Sequence, residues 1–517
     1  MIDGDEAMVG LMARHILQGQ RPIFLNGLQY TGALQAYEAA ALYQVLGMSR
    51  MALKLVPLAA SLAFILTTYG LARRIVSTPA ALIAALVAAA PPVYVAATML
   101  KAWAPYPEVM ALGNLLLALA IDLAWRPAKG TPGDQSPEDP AAGRGRALAL
   151  GLLGGFALWL QGVAVYALAT CALVLLARAP RKLPRLAPVL AAGLALGGIP
   201  LWLGNLASGF GTARSLAGGH PLAQDLVAEA GALLHDSLPR VLGLWQPWGA
   251  TPAPVSWALG GVVGAGLLAL LLRGRASHGR RLAPSDVPLV FALMLVLIYL
   301  GSGFAGPSLN PWGFDATGRY VLPLWGVVPL AVAALAEPLL GGPGRGPLRG
   351  PVVRGAPLRA SLAASLVALV MLAHLAGYAT SNPRQVFQSP YWNKLPFDSQ
   401  PLLDALRRAG ISAVWMNHWA GFPLMFDAQE AVIAADYYDV FVGGGINRFP
   451  EHFALVERAD RPAYVLVTDE PVPALERRLQ ELGVTYRVER VGPYVIVQPL
   501  SRRVNPTEVQ DAIDYRY

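Results

Sequence analysis

Cysteine and charge are both scarce in this sequence. Cys171 is the only cysteine among 517 residues, which excludes an intrachain disulfide and a metal cluster held by cysteines. Charged residues make up 14% of the chain, well below the roughly 25% of an ordinary soluble protein. The net charge of +8 does not indicate nucleic-acid binding, because no basic stretch is interleaved with aromatic residues.

The motifs of soluble nucleotide-dependent and hydrolytic enzymes are also missing. The sequence has no Walker loop, no GxGxxG after a predicted strand, no HExxH and no GxSxG. Its histidines are scattered without metal-ligand spacing, so neither a metal site nor a cofactor is expected. Use of ATP or of a nucleotide sugar at a soluble site therefore has no support.

Long apolar runs are what the sequence has in abundance. Hydrophobic residues make up 55% of the chain, and its mean hydropathy is +0.46. Apolar runs of about 20 residues are long enough to cross the hydrocarbon core of a lipid bilayer as helices. They predict an α-helical polytopic membrane protein. About ten spans are expected, at 53–72, 80–98, 108–125, 147–161, 163–177, 188–206, 254–272, 287–303, 320–336 and 360–378.

Loops with many basic residues alternate with loops that have few, and this alternation predicts the orientation of the spans in the membrane. Eighteen Lys and Arg lie in the segments 73–79, 126–146, 178–187, 273–286 and 337–359. The intervening segments hold four, namely Lys101, Arg214, Arg240 and Arg319. Since basic loops face the cytoplasm, the other loops face outward. Residues 147–178 fit either one long tilted helix or two short spans that turn around Trp159 to Gly162, and the alternation persists only with two.

The charge pattern places the N-terminal segment 1–52 outside, because the first span ends at the basic pair Arg73 and Arg74. An outer N-terminus with no export signal after Met1 predicts a further apolar helix upstream. Within the segment, MVGLMARHILQG and GALQAYEAAALYQVLG have apolar residues near helical spacing and are expected to lie flat in the membrane interface. The stretch between them, RPIFLNGLQYTG, predicts an ordered loop.

The chain becomes polar after residue 378, and the last segment predicts a small α/β domain. AVWMNHW, AVIAAD, AYVLVTD, TYRVERV and YVIVQP are typical of strands. PLLDALRRAG and ALERRLQELG predict helices that end at glycine. We therefore expect a first outer loop at 1–52, a transmembrane domain at 53–378 and an extracytoplasmic domain at 379–517.

Ionisable residues gather at the outer ends of the predicted spans. Asp3 is expected to cap the first helix, whereas Asp5 and Glu6 are equally compatible with capping and with chemistry. An acid at a span end, such as Glu108, is usually functional. Arg319 opposes the charge bias, and its guanidinium suits a phosphate. Lys101 is a second candidate cation, although snorkelling to water explains it as well.

Other polar side chains are expected at the same level, namely Tyr106, Asn205, Asp315 and Tyr320. Together with the acids and cations they suit a lipid-borne phosphate leaving group and an acceptor that is deprotonated by a carboxylate. In that arrangement Asp5 and Arg319 line one outer cavity, and Glu108 borders it.

Several stretches, taken in order, resemble the GT-C glycosyltransferases. They are DGDEAMVGLMARHIL–QGQRPIF–LNGLQYTGALQAY, YPEVMALGNLLLALA, GLLGGFALWLQ, GGIPLWLGNLASG and RYVLPLWGVVPLAVAALA. The similarity runs from residue 3 to about 340 and is greatest to the bacterial protein mannosyltransferase and aminoarabinose transferase family. It implies a multi-pass enzyme of the cell membrane that transfers a sugar from a polyprenyl-phosphate carrier to an acceptor on the outer side.

The resemblance also implies roles for particular residues. Asp5 and Glu6 match the Asp-Glu pair of the family's first outer loop, in which the Asp is the base or an acceptor contact. Arg319 matches the contact to the carrier phosphate, and Glu108 matches a second acidic position. Gln29 stands where aminoarabinose transferases have a lysine, so that sugar is not expected. Gln29 and its neighbour Tyr30 complete the predicted substrate cavity.

The chain departs from this family at its N-terminus, because the family has a membrane helix before the Asp-Glu loop. The alternative function is a transporter or flippase of lipid-linked sugars, which would place polar groups near the bilayer midplane in broken helices. A third hypothesis, a non-catalytic sugar-binding protein, depends on the aromatic stretch WMNHWAGF. That stretch is more typical of a core strand followed by a turn.

Overall fold

The structure is a computed structural model, and it describes most of the chain. The described residues are 2–125, 140–217, 226–245, 253–278, 281–302, 317–340, 356–382, 395–396, 398–442, 445–467 and 471–513. Helices dominate up to residue 380, and a five-stranded sheet follows. This order of elements confirms the predicted class, a helical membrane protein with a small C-terminal α/β part.

Each of the ten predicted spans falls on a helix or on a pair of helices. These are α3 (Arg50–Ala72), α4 (Thr78–Ala89) with α5 (Val93–Met99), α6 (Tyr106–Trp125), α7 (Pro140–Leu160), α8 (Ala164–Arg178), α9 (Leu183–Gly197) with α10 (Ile199–Ala207), α14 (Ala253–His278), α15 (Val287–Leu300), a 3₁₀ segment (Thr317–Gly326) with α16 (Val327–Ala336), and α17 (Ala356–Thr380). Short helices lie between α10 and α14, namely α11 (Gly211–Ala217), α12 (Leu226–Ala232), a π-helical turn (Leu233–Ser237) and α13 (Leu238–Val241).

Length and composition divide these helices into two groups. Within the described ranges, five helices are long and apolar enough to cross a membrane, or seven if two bent pairs each count as one span. The two bends are 78° between α4 and α5 and 57° between α9 and α10. Helices α8 and α15 are apolar but shorter. The bend after α4 matters for the site, because it aims α5 at the loop that begins at residue 100.

Residues 147–178 form two helices, as the charge alternation required. Helix α7 ends at Leu160, α8 begins at Ala164, and the turn between them pairs Gln161 with Thr31 of the N-terminal segment. Trp159 also donates its indole N–H to the carbonyl of Ile23 at 3.0 Å. This turn therefore lies at the same end of the bundle as the N-terminal segment.

Glycines make the packing of α7 on α9 unusually close. A Cβ built at Gly151, Gly155, Gly193 or Gly197 would fall against the backbone of the opposite helix, well inside van der Waals distance. The spacing of four within each pair repeats the small-residue pattern that lets membrane helices approach. Helices α7 and α9 thus run side by side in the same direction, with their backbones in close contact.

Substitution of Gly197 by alanine should lower the stability of the protein by about 1–3 kcal/mol, the usual cost of overpacking. Its new methyl group would meet the carbonyl of Leu152, which belongs to a helix backbone and cannot move aside. Gly145→Ala in α7 is the matched control, because a Cβ there meets open space. It should be neutral or slightly stabilising. Thermal unfolding in detergent measures both, and equal melting temperatures would contradict the close packing.

The N-terminal segment forms two helices joined by a short hairpin. Helix α1 spans Gly4–Leu17, β1 (Phe24–Leu25) pairs antiparallel with β2 (Leu28–Gly32), and α2 spans Leu34–Leu46. Both helices were predicted, and the intervening loop is ordered as expected. The prediction of a flat interfacial helix fails for α1, because it is buried on almost all sides. It packs between α2 and the C-terminal part of the chain, which its weak amphipathicity did not reveal.

The C-terminal part contains all five predicted strands. They are β3 (Ala413–Met416), β4 (Ile433–Ala435), β5 (Ala463–Leu466), β6 (Tyr486–Val491) and β7 (Tyr494–Pro499), arranged in the order β4-β3-β5-β7-β6. The pairs of β3 with β4 and β5 are parallel, and β7 runs antiparallel to β5 and β6. The helices are α18 (Gln400–Arg408), α19 (His418–Asp427), α20 (Pro450–Arg458), α21 (Val472–Glu481) and α22 (Pro506–Val509).

Polar contacts attach the sheet domain to the N-terminal segment. Arg14 donates to Glu430 at 2.8 Å, and Arg50 donates to Asp427 at 2.9 Å. Arg448 donates to the carbonyl of Asn26 at 3.0 Å. The N-terminal segment and the sheet domain therefore share one side of the helical bundle, and the outer placement of that side stays a prediction.

Candidate active site

The segment 101–108, KAWAPYPE, joins several parts of the molecule at this end of the bundle. It links α5 to α6. Lys101 and Ala102 contact α1, Trp103 contacts the 3₁₀ segment, and Glu108 contacts α2. The candidate site is built around this segment, because most of the ionisable residues selected from the sequence meet there.

Asp3 holds the segment to the start of α1. Its Oδ1 accepts the backbone N–H of Glu6 at 3.0 Å, and Glu6 accepts the backbone N–H of Asp3 at 3.4 Å, which is a capping box. Asp3 Oδ2 accepts from Lys101 Nζ at 2.8 Å, and both side chains are buried. The expected capping role of Asp3 is confirmed, and the ammonium of Lys101 is already paired with a carboxylate.

Glu6 is completely buried and holds α1 to its neighbours. Its Oε1 accepts from Lys54 Nζ on α3 at 2.6 Å and from the backbone N–H of Ala102 at 3.0 Å. Burial raises the pKa of Glu6 above its ordinary value, although the attraction of Lys54 opposes this shift. These contacts position the first helix, and they leave the Glu6 carboxyl without access to a substrate.

Asp5 is the most accessible of the three acids at the start of α1. Its side chain is 20% exposed, against 3% for Asp3 and 0% for Glu6. Arg448 Nη2 of the sheet domain lies 3.7 Å from Asp5 Oδ1. Asp5 therefore lies at the junction of α1 with the sheet domain, and it is the acid of this trio that a substrate can reach.

A second carboxyl lies beside Glu108. Gln35 donates to Glu108 Oε1 at 2.9 Å, and Glu38 on the same helix interacts electrostatically with Glu108. Oxygens of all three side chains are buried with no hydrogen-bond partner among the residues described. Burial raises the pKa of Glu38 to about 7, where a carboxyl exchanges protons readily at neutral pH. The sequence did not single out Glu38, because an isolated acid on an alanine-rich helix is normally a solvated residue.

Arg319 lies against aromatic rings at the start of the 3₁₀ segment. Its guanidinium carbon is 5.4 Å from the ring centre of Trp103 and 5.2 Å from that of Tyr320. Lys101 Nζ is 5.6 Å from the same Trp103 ring, and Tyr106 lies 5.8 Å from it. The structure thus brings four predicted site residues together around Trp103, which sequence reasoning missed. Cations over an aromatic face within about 6 Å are stabilised by its electron density.

Two other predicted cavity residues form a separate cluster. Thr212 donates its hydroxyl hydrogen to the carbonyl of Gln29, and the Asn205 amide donates to the Thr212 oxygen at 2.9 Å. The side-chain oxygen Oδ1 of Asn205 accepts the Thr212 backbone N–H at 3.2 Å. Asn205 therefore orders the turn between α10 and α11. Tyr30 is half-buried on β2, and Asp315 lies outside the described residues.

An apolar cavity lies among α3, α6, α8, α15 and the 3₁₀ segment. Pro323 and Gly326 form part of its wall, together with Phe64, Val109 and Phe291. Pro323 follows Arg319 by four residues, which is roughly 8 Å along a 3₁₀ axis. Neither Arg319 nor Asp5 is among the residues that line this cavity. The expectation that both line one cavity stays a prediction.

A second pocket lies on the sheet domain beside Asp5. It is lined by His418, Phe422, Asp436, Arg448 and Phe449, among others. Asp436 Oδ2 accepts from the backbone N–H of His418 at 2.8 Å and lies 3.0 Å from its Nδ1. Arg448 is the residue that approaches Asp5. The pocket therefore combines an oriented imidazole, a guanidinium and aromatic walls next to the accessible acid.

Comparison by sequence finds no relative for this chain, whereas comparison by structure does. No protein-family profile matches it, and neither does any curated protein sequence. It superposes on ArnT from Cupriavidus metallidurans, solved in the apo state, with a TM-score of 0.59 and 13% identity. The superposition covers 96% of this chain and 94% of ArnT.

The same protein bound to undecaprenyl phosphate is equally similar, with a TM-score of 0.59 and 12% identity. Here 97% of this chain and 94% of ArnT are covered. ArnT is an aminoarabinose transferase with a GT-C fold. Because nearly the whole length of both chains superposes, the likeness extends from the helical bundle into the C-terminal sheet. The chain described here has the GT-C glycosyltransferase fold.

Proposed function

We propose that this chain is an integral membrane glycosyltransferase that moves a sugar from a polyprenyl-phosphate carrier to an acceptor on the outer face of the cell membrane. One observation carries the proposal. Arg319 lies over Trp103 and Tyr320 on the 3₁₀ segment whose later residues, Pro323 and Gly326, wall an apolar cavity, in a chain with the fold of ArnT, which has been solved with undecaprenyl phosphate. A guanidinium on the segment that also walls an apolar cavity suits a lipid with a phosphate head.

Arg319 and the apolar cavity hold the two ends of the lipid-linked donor. The planar guanidinium of Arg319 offers two parallel hydrogen bonds to a phosphate, and the isoprenoid tail enters the cavity that begins near Pro323. Lys101 contributes indirectly, because its ammonium is bound to Asp3 and faces the Trp103 ring. It fixes the aromatic platform on which Arg319 lies. The leaving phosphate gains negative charge during transfer, and the fixed positive charge of Arg319 stabilises it.

The acceptor is activated on the other side of the sugar. Asp5 takes the proton from an acceptor hydroxyl or amine, and the freed electron pair attacks the anomeric carbon of the sugar. The bond from that carbon to the phosphate oxygen breaks, and the phosphate leaves on its lipid. Glu6 and Asp3 hold the first turn of α1 in place, while Glu38 and Glu108 border the site from α2 and α6.

The pocket on the sheet domain is the proposed entrance for the acceptor. It adjoins Asp5 through Arg448, and Gly4 at the start of α1 lies directly against the backbone of His418, where a Cβ would approach its carbonyl oxygen to 3.1 Å. An acceptor that enters this pocket beside Arg448 would therefore approach Asp5.

The outer placement of the site predicts a labelling pattern in intact cells. Gln20→Cys and Arg407→Cys, both exposed on the shared side, should react with a membrane-impermeant maleimide. Arg73→Cys, which is exposed at the opposite end, should react only after the cells are opened. The natural Cys171 is buried and gives little background. Labelling of Arg73→Cys in intact cells, with the other two protected, would reverse the orientation.

A transporter or flippase of lipid-linked sugars is the second candidate, and the two bent helix pairs are the feature that favours it. The break between α4 and α5, however, is covered by α17. His374 lies 2.7 Å from the carbonyl of Ala90, and Tyr378 donates to that of Pro91 at 2.8 Å. These carbonyls are used within the protein, whereas the candidate site residues Asp5, Lys101, Glu108 and Arg319 lie at one end of the bundle. This distribution suits an enzyme better than a carrier.

Transfer of a labelled sugar tests the proposal and separates the two candidates. Purified protein in nanodiscs is incubated with a panel of undecaprenyl-phosphate sugars and with a cell-envelope extract. The enzyme should move label into the extract and release one undecaprenyl phosphate per sugar. A flippase would instead move the intact lipid-linked sugar across a liposome bilayer and leave its phosphate bond unbroken. That second outcome would contradict the proposed function.

A further inference from the structure

Three side chains from distant parts of the sequence meet between α1 and the sheet domain. His15 Nε2 lies 2.6 Å from Glu430 Oε1, and His452 Nε2 lies 2.9 Å from the same oxygen. Each residue offers one ligand atom, and the three atoms lie within 4.8 Å of one another. The proposed transfer reaction does not use this cluster. Sequence spacing gave no sign of it, because His15 and His452 belong to different parts of the fold.

We infer that His15, Glu430 and His452 form a binding site for a first-row transition metal, with zinc as the natural occupant. Two imidazole nitrogens and one carboxylate oxygen are ligands that zinc prefers, at about 2.0–2.2 Å. In a tetrahedral site with such bonds, ligand atoms lie about 3.3 Å apart. The observed separations of 2.6 and 2.9 Å to Glu430 therefore need to open by about 0.4–0.7 Å. A water molecule would complete the coordination.

The surroundings of the cluster fit a ligand set. Both histidines are buried, at 5% exposure each, and the Nδ1 atom of each has no hydrogen-bond partner in the described part of the chain. Glu451 Oε1 lies 4.0 Å from His15 Nδ1, close to the position of the outer carboxylate that metal-bound histidines usually have. Arg14 binds the second oxygen of Glu430 at 2.8 Å, which leaves one carboxylate oxygen for the metal.

The backbone at Glu430 has a strained conformation, and this conformation orients the Glu430 carboxylate toward the two histidines. Gln429 and Glu430 have φ values of 48° and 64°, in the left-handed region that residues with side chains seldom adopt. Two such residues in succession carry a free-energy cost that persists only where the surrounding structure requires it. Here the turn aims the carboxylate of Glu430 out of the sheet domain and between the two imidazoles.

The position of the site gives the metal a structural role. His15 lies on α1, which also carries Asp5, and His452 lies on α20 behind the pocket of the sheet domain. Phe449, a wall of that pocket, stacks on His452 at 4.8 Å and meets His15 edge-on at 5.7 Å. A bound ion would therefore fasten the pocket to the helix that bears the accessible acid. This inference does not depend on which reaction the protein performs.

Metal binding to the full-length protein in detergent tests the inference without an activity assay. After treatment with a chelator and return of zinc, elemental analysis should find about one zinc per wild-type chain. His15→Gln and His452→Gln should each retain no more than about a tenth of that amount. His235→Gln, an exposed histidine outside the cluster, is the matched control and should bind as the wild type does. Zinc should raise the melting temperature of the wild type and of this control only.

Cobalt substitution keeps the test decisive if a histidine variant fails to fold. Cobalt(II) bound by two nitrogens and an oxygen in a four-coordinate site gives visible absorption bands that hexahydrated cobalt lacks. The wild-type protein should develop these bands with one equivalent of cobalt, and zinc should remove them. Absence of the bands together with less than a tenth of an equivalent of zinc would show that the cluster is a hydrogen-bonded triad, and it would overturn the inference.

Discussion

Substitution of Arg319 by alanine should weaken the binding of a polyprenyl-phosphate donor by about 10- to 100-fold. Hydrogen bonds to a charged group contribute about 1.5–3 kcal/mol, and each 1.4 kcal/mol is a factor of ten in affinity. Arg319→Lys should recover only part of the loss, because an ammonium lacks the planar fork and stacks less well on Trp103 and Tyr320. Donor affinity is measured by displacement of a fluorescent polyprenyl phosphate in nanodiscs.

Arg214→Ala is the matched control for this measurement. Arg214 is an exposed arginine at the same end of the bundle, and its guanidinium donates to the carbonyl of Ser208. Its loss should leave donor affinity within about twofold of the wild type. Acceptor affinity should change little in Arg319→Ala. If Arg319→Ala and Arg214→Ala bind the donor equally well, the phosphate is held elsewhere and the assignment of Arg319 is wrong.

Substitution of Asp5 by asparagine should lower the turnover number about a hundredfold or more, while donor binding stays largely intact. General-base catalysis contributes about 10²–10⁴ to a rate, and asparagine keeps the size of the side chain while removing its basicity. The large effect is expected of Asp5 because it is the accessible member of the N-terminal acids. Single-turnover transfer from a labelled donor measures it.

Other acids provide the comparison for Asp5. Asp404→Asn on the surface of the sheet domain should transfer sugar at the wild-type rate, since Asp404 is exposed and pairs with Gln400 and Arg407 on its own helix α18. Glu6→Gln should reduce the stability of the protein more than its turnover number, because the buried Glu6 carboxylate accepts hydrogen bonds from Lys54 and from the backbone of Ala102. A wild-type rate in Asp5→Asn, with the loss found in Glu38→Gln or Glu108→Gln instead, would move the base to the α2–α6 side.

The helical architecture was predictable because each span must satisfy its own backbone hydrogen bonds and be apolar over about 20 residues. The alternation of basic-rich and basic-poor loops also predicted correctly that residues 147–178 form two helices. The strands of the C-terminal part followed from their short runs of β-branched and aromatic residues. The predicted environment of α1 was wrong, since a helix that tertiary contacts bury on almost every side has no amphipathic pattern to detect.

The candidate site was only partly predictable, for a different reason. Single residues such as Arg319 and Asp5 stood out because their charges are unexpected where they occur. Their partners did not, because Trp103 resembles an ordinary interfacial aromatic and Glu38 an ordinary helix-surface acid. The meeting of His15 with His452 depends on the docking of the sheet domain on α1. Contacts between residues this far apart in sequence leave no local pattern.

The central claim is that a polyprenyl phosphate binds with its head at Arg319, and an experimental structure with the lipid bound tests it most directly. Cryo-electron microscopy of the protein in nanodiscs with undecaprenyl phosphate should show phosphate density within hydrogen-bond distance of the Arg319 guanidinium. The first isoprene units should continue into the cavity bounded by Pro323 and Phe64. Lipid density elsewhere in the bundle, with Arg319 contacting protein alone, would contradict the account.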